Sequence, residues 1–74
     1  MDIGWAVKAL NNGERVTRPG WNGSGMLLEL ISASEPGDAW HPSAAYVVMR
    51  TVDGTYAPWT ASQTDLLADD WRWV

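Results

Sequence analysis

The chain has 74 residues, no cysteine and a formal net charge of −4, which indicates one domain, residues 1–74, without a disulfide or a thiolate metal site. Its five basic residues are spread along the chain, which excludes the basic stripe of proteins that bind long nucleic acids. No apolar run approaches the ~20 residues of a membrane span. The N-terminus lacks the pattern of a secretory signal, so we expect a cytosolic protein.

The first predicted element is a helix that begins after the N-cap Asp2, ends at Leu10 and is followed by the C-cap signal Asn12-Gly13. Its apolar side chains recur at helical spacing: Ile3, Ala6, Val7 and Leu10. Trp5 lies off this stripe by helical geometry. It is therefore either exposed or at a subunit interface, and we favour the interface.

Short strands are predicted at residues 15–18, 26–31, 46–52, 55–59 and 70–74. The second has apolar residues at successive positions, which is typical of a strand covered on both faces. Asp53-Gly54 predicts a type I′ hairpin turn, and Pro58 should end the pairing of the fourth strand. The long loop 32–44 separates the second and third strands, and only Trp40 within it is expected to be anchored.

A second short helix is predicted to begin at Ser62, because Asp65 three residues later completes a capping box. Leu66 and Leu67 should supply its apolar face. Together the elements predict an α+β fold: a small antiparallel β-sheet with an N-terminal helix and a second short helix before the last strand.

Six tryptophans and no phenylalanine are an unusual aromatic content for so short a chain. Trp71 and Trp73 are predicted on one side of the last strand, opposite Arg72. So many indoles exceed what one small core can hold, and buried indole N–H groups need partners. We expect some rings at subunit interfaces or in a pocket. A domain of this size also has a marginal core, so we expect a homo-oligomer.

Catalytic residues are not evident. His41, the single histidine, lies in the loose loop without a residue to orient it, so it is interpreted as solvated. Asp65, Asp69 and Asp70 could be considered as metal ligands, but a helix cap and turn carboxylates are the simpler interpretation. We therefore expect no enzymatic activity, no metal and no cofactor.

The segment "RPGWNGSGM", residues 18–26, places Trp21 among three glycines. The ring is either a plug folded back onto the domain or a flat surface displayed for a ligand, and we favour display. Bases stack on aromatic faces, and glycine-rich loops and helix starts bind phosphates through backbone N–H groups. The residues alone therefore predict a small oligomeric binding module for a nucleotide-like ligand. The alternative is a protein-interaction or structural module with an aromatic docking patch.

Three segments carry a resemblance to a known family: "IGWAVKALNNGERV", "TRPGWNGSGM" (17–26) and "DGTYAPWTASQTDLLADDW" (53–71). Over nearly the whole chain they resemble small phage proteins, the second class of Thoeris anti-defence proteins. The resemblance implies a sponge in the cytoplasm of the infected bacterium, which binds without cleaving a cyclic ADP-ribose isomer made by a TIR-domain enzyme. It also implies homotetramers, dimers of dimers, with pockets at subunit interfaces and, in some members, binding of cyclic oligonucleotide signals.

Carried onto this chain, the resemblance implies a ligand site made of Arg18, Trp21, Asn22, Gly23, Gly25, Met26, Trp59, Ser62, Gln63, Asp65, Asp70 and Trp71. Trp21 is expected to stack on the adenine and Asn22 to fix a ribose or the base edge. The loop glycines, helped by Arg18, should approach the pyrophosphate. Ser62, Gln63 and Asp65 should line the helix start, while Asp70 and Trp71 shape the wall.

This chain departs from the family pattern at Trp5, where a polar residue is expected, and in the loop 32–44. If that loop borders the pocket, the preferred signal could differ. Trp40 would then be either a further stacking surface or a lid over the sheet edge.

Overall fold

The computed structural model describes residues 1–21, 25–33 and 44–74. These form the elements α1 Ile3–Asn11, β1 Val16–Thr17, β2 Leu27–Ile31, β3 Tyr46–Arg50, β4 Tyr56–Pro58, α2 Gln63–Leu67 and β5 Arg72–Trp73. The predicted α+β class is confirmed. In this part of the chain, no helix is long and apolar enough to cross a membrane. Asn22, Gly23, Trp40, His41 and most of the loop 32–44 lie outside the described residues.

Both predicted ends of helix α1 are confirmed within a residue. The Asp2 carboxylate accepts the backbone N–H of Trp5 at 2.9 Å, which satisfies one of the donors left open at a helix start. The helix ends at Asn11, and Gly13 follows with a φ of +83°. That left-handed conformation is the one that glycine adopts readily after a helix.

The predicted apolar stripe of α1 was partly wrong. Val7 is 48 % exposed, whereas Ala9 is buried together with Ala6 and Leu10. Because two alanines face the sheet, the helix can lie close to it, and the buried arc is turned away from Val7 toward Ala9.

The five strands form one antiparallel sheet in the order β4-β3-β2-β1-β5. Helix α1 packs on one face, here called the core face. The buried cluster on that face consists of Ala6, Ala9, Leu10, Val16, Leu28 and Trp71. Trp71 comes directly before β5, and its ring, 1 % exposed, is the largest side chain in the cluster.

The opposite face of the sheet, here called the outer face, carries the alternate residues of each strand. Leu27 and Val48 on this face are also buried, as is Leu28 on the core face. The start of β2 is therefore covered on both faces, as its apolar run predicted. At the other end of the strand, Ile31 and its register partner Tyr46 are exposed.

The β3–β4 hairpin does not contain the predicted type I′ turn. The Thr51 carbonyl accepts the N–H of Gly54 at 3.0 Å, and the Thr51 N–H donates to the Thr55 carbonyl at 2.8 Å. These bonds leave a loop of three residues. Gly54 has a φ of +88°, but Asp53 does not have a positive φ, which a type I′ turn requires. The turn is instead a three-residue loop with a left-handed glycine at its end. β3 accordingly ends at Arg50 rather than Val52.

Helix α2 begins as predicted and buries a different side. The Asp65 N–H donates to Ser62 Oγ at 3.0 Å, and the Ser62 N–H donates to Asp65 Oδ2 at 3.1 Å, which confirms the capping box. Leu67 is 82 % exposed and Leu66 is exposed as well, so the predicted apolar face was wrong. The buried residue of this helix is Asp65, 7 % exposed, because its carboxylate faces the core edge and is bonded there.

Trp5 and Trp73 meet at the β5 edge, with ring centroids 5.2 Å apart and planes inclined by 64°. The Trp73 Nε1 donates to Glu14 at 2.6 Å. Trp73 shares the core face with its register partner Val16, but at the edge it remains 58 % exposed. Trp5 is therefore partly buried within its own protomer, and its predicted place at a subunit interface stays a prediction.

Two glycine substitutions should have opposite effects on stability. Gly54→Ala should lower the free energy of unfolding by about 1 kcal/mol, because alanine is strained at a φ of +88°. Gly4→Ala, inside α1, should raise it by about 0.5 kcal/mol, because alanine favours the helix. Urea denaturation followed by circular dichroism measures both. Equal stability of the two variants would contradict the assigned turn.

Candidate functional site

Arg18, directly after β1, bridges two carboxylates from the C-terminal part of the chain. Its Nη1 lies 2.7 Å from Asp65 Oδ1, and its Nε lies 2.6 Å from Asp70 Oδ1. The Arg18 side chain is 9 % exposed, and its guanidinium lies 5.7 Å from the centroid of the Trp71 ring. The three charged groups form an ion triad that joins the loop after β1 to helix α2.

Asp65 accepts most of the bonds in this region. Its Oδ1 accepts Trp21 Nε1 at 3.0 Å in addition to Arg18, and its Oδ2 accepts the Ser62 N–H. Its backbone carbonyl accepts Trp71 Nε1 at 3.2 Å. One buried residue therefore fixes the loop tryptophan, the helix start and the core tryptophan together.

The surroundings of the triad keep its members charged. Burial alone would raise the pKa of Asp65, but hydrogen bonds from Trp21, the Ser62 backbone and Arg18 outweigh it and hold that pKa below its usual range. The hydrogen bond from Arg18 lowers the pKa of Asp70. The bond to Asp70 raises the pKa of Arg18 despite the opposing effect of desolvation. Around neutral pH the triad is fully ionised.

Gly20 approaches the Arg18–Asp70 ion pair closely. Its N–H donates to Asp70 Oδ2 at 2.9 Å. A Cβ at this position would lie 2.9 Å from that same oxygen and 3.2 Å from Arg18 Nη2. A larger residue would therefore force the Asp70 and Arg18 side chains to shift.

Trp21 is bonded to its own protomer along one edge, and its role as a surface for a ligand stays a prediction. Its Nε1 is bonded to Asp65, and its ring meets Trp71 edge-on at 5.4 Å with planes inclined by 88°. The ring is nevertheless only partly buried, and it lines a groove of about 650 Å³. It is thus anchored along one edge to its own protomer and open on another side.

The groove contains four of the residues expected at the ligand site: Arg18, Trp21, Gly25 and Met26. The other lining residues in the described part of the chain are Thr17, Pro19, Leu27, Arg50, Arg72, Trp73 and Val74. The other expected residues in the described part lie elsewhere. Asp65 and Trp71 are buried behind Trp21, and Trp59 packs edge-on against Trp71 at 6.0 Å. Ser62, Gln63 and Asp70 belong to helix α2 and the turn after it.

Sequence reasoning missed Arg50 and Arg72 as groove residues. Arg72 pairs with Thr17 across β5 and β1, and Arg50 pairs with Leu27 across β3 and β2. The alternation of each strand places these side chains on the outer face. Their convergence depends on the order and register of strands that are far apart in the chain, which no local pattern specifies.

Among the described residues, no group of three histidine, aspartate or glutamate side chains could hold a metal ion. Asp65 and Asp70 are instead engaged with Arg18. An aromatic surface beside cationic side chains, as in this groove, suits a flat, anionic ligand.

Removal of the Arg18 charge should destabilise the fold. Arg18→Gln leaves the buried Asp65 carboxylate without its cation, so the free energy of unfolding should fall by about 3 kcal/mol. Arg15→Gln, at the exposed position directly before β1, is the matched control and should change the free energy of unfolding little. Urea denaturation of both variants gives the comparison. A similar loss of unfolding free energy in the two variants would show that the triad does not stabilise the fold.

Stability should also depend on pH in the acid range. Asp65 and Asp70 have folded pKa values below their usual range, so their contribution is constant above about pH 5 and is lost as the pH falls below about 4. Asp53, whose pKa is lowered to about 2 by hydrogen bonds from Thr51 and Thr55, also contributes stability that is lost in this acid range. Melting temperatures of Asp53→Asn should therefore still fall between pH 5 and pH 3. A flat profile in that variant would contradict the ionised triad.

Comparison with known proteins agrees with the resemblance carried by the sequence motifs. The family model described as a Thoeris anti-defense 2-like domain matches residues 1–74. A curated relative, Thoeris anti-defense 2 of Bacillus phage SP01, is 37 % identical in an alignment that covers 96 % of this chain and 91 % of the relative. The chain belongs to the Thoeris anti-defense 2-like family.

Proposed function

We propose that this protein is a phage anti-defence sponge, which binds and sequesters, without cleaving it, a cyclic ADP-ribose-type signal made by the TIR-domain enzyme of Thoeris. Family membership supports the coarser statement, a phage role against Thoeris defence. The observation that supports the more specific proposal, sequestering of the signal, is the groove, where Trp21 lies among arginine side chains in a chain of net charge −4.

Trp21 is suited to stack on the adenine of such a signal. Its N–H is held by Asp65 and its edge by Trp71, so little side-chain freedom is lost when a ligand arrives. A stacked base contributes ~1–3 kcal/mol. The lining residues Gly25 and Met26 border the same surface, and Asn22 is proposed to fix a ribose or the base edge.

The residues of helix α2 and its surroundings, which do not line the groove, are proposed to border the ligand beside it. Ser62, Gln63 and Asp70 offer groups for ribose hydroxyls, while Asp65 and Trp71 support Trp21 from behind. The carboxylates are bonded to Arg18, which favours holding a ligand over transferring a proton. A sponge needs affinity rather than turnover, and submicromolar binding corresponds to more than about 8 kcal/mol.

We further propose a homotetramer, a dimer of dimers, that acts in the cytoplasm of the infected host with its pockets at subunit interfaces. The outer face supports association, because Ile31, Tyr46 and Tyr56 are exposed on it, and a domain of this size has a marginal core. An interface pocket with an aromatic surface could also accept cyclic oligonucleotide signals, since every base has a face that can stack.

Calorimetric titration with a purified cyclic ADP-ribose isomer tests the proposal. The protein should bind it with submicromolar affinity, and heating the complex should release the signal unchanged, as judged by mass spectrometry. Trp21→Ala should weaken binding by about tenfold or more, because the stacked surface is lost. Trp21→Phe retains a ring without the N–H, so its affinity should fall less than that of Trp21→Ala.

Leu67→Ala, at a highly exposed position on α2, is the control and should bind like the parent. Native mass spectrometry should show the same oligomer for all four proteins. Recovery of a cleaved signal would replace the sponge with an enzyme. Absence of binding to any cyclic nucleotide, together with a stable protein complex in a pull-down, would favour the aromatic docking module instead.

A further inference from the structure

The outer face carries a row of four residues that runs across the sheet under the groove. Arg72 is the register partner of Thr17, and Leu27 is the register partner of Arg50. Because Val16 pairs with Leu28, Thr17 lies opposite Leu27. The two arginines therefore end a row of four adjacent strands, with Cα atoms about 14 Å apart at the usual strand spacing.

Positive charge is concentrated in this groove. Three of the five basic residues of the chain line it, namely Arg18, Arg50 and Arg72, and none of the seven acidic residues within 1–21, 25–33 and 44–74 does. Arg18 is already paired with two carboxylates. In the described part of the chain, Arg50 and Arg72 form no ion pair within 4.0 Å, although Glu29 lies two residues from Leu27 on the same face.

We propose that Arg50 and Arg72 hold a diphosphate group between them, above Thr17 and Leu27. Both side chains are long enough to meet near the middle of the row, and guanidinium groups bind phosphate oxygens through paired N–H donors. The Thr17 hydroxyl donates to the Met26 carbonyl at 2.7 Å, which fixes the floor of the groove between the two arginines.

This inference rests in part on the proposed function, because it names the phosphate-binding residues of the same site. It replaces the expectation that Arg18 and the glycine loop bind the pyrophosphate. Trp21 lines the same groove, so a base on its ring and a diphosphate on the arginine row would belong to one ligand.

Inorganic pyrophosphate is the probe that separates this inference from the proposed function. It should bind the parent protein with a Kd of about 1 mM or lower and perturb the amide resonances of Thr17 and Leu27. Arg50→Gln and Arg72→Gln should each weaken binding about tenfold, and added salt should weaken it further. Arg15→Gln, outside the groove, should bind pyrophosphate like the parent.

The same variants are then titrated with the cyclic ADP-ribose isomer. If the parent binds the isomer and both glutamine variants bind it equally well, the sponge stands and the arginine row is overturned. If pyrophosphate binding depends on both arginines but the isomer does not bind, the row stands and the sponge fails. If the variants change the oligomeric state and pyrophosphate has no effect, the groove is a contact between copies of the chain, and the inference is wrong.

Discussion

A buried carboxylate needs a cation and hydrogen-bond donors, and Asp65 obtains them from the loop after β1 and from the start of α2. Arg18 supplies the charge, Trp21 and Ser62 supply N–H groups, and Trp71 bonds to its carbonyl. The loop after β1, the start of α2 and the core are therefore fixed relative to one another by one residue. The orientation of Trp21, on which the proposed binding depends, follows from this arrangement.

The arginines of the groove divide into two kinds. Arg18 is nearly buried and neutralised, so its contribution is to hold the loop in place. Arg50 and Arg72 reach the same groove from the outer face of the sheet. A small acidic protein can thus present a local cationic surface to an anionic ligand although its overall charge repels one.

The parts of the fold that were predictable depend on short local patterns. The Asp2 cap and the Ser62–Asp65 capping box involve residues only three positions apart, and both are present. Asp53-Gly54 suits two kinds of hairpin, and the choice depends on loop length, which the dipeptide does not specify. The apolar face assigned to Leu66 and Leu67 failed because α2 is a single short turn whose packing is decided by the bonds of Asp65.

The site was predictable only in part for a related reason. Trp21 was recognised from its glycine neighbours and from the family motif, but its anchoring depends on an acceptor 44 positions away. Arg50 and Arg72 carry no local signal, because only the strand order brings them into one row. A sequence motif therefore identifies Trp21, whereas Arg50 and Arg72 can be identified only from the long-range pairing of strands.

A crystal structure of the protein with a bound cyclic ADP-ribose isomer tests the central claim most directly. We expect the adenine on the open face of Trp21, with the Trp21–Asp65 hydrogen bond intact and the signal unbroken. A ligand bound away from Trp21, or a Trp21 ring turned out of its contact with Asp65 and Trp71, would contradict the account.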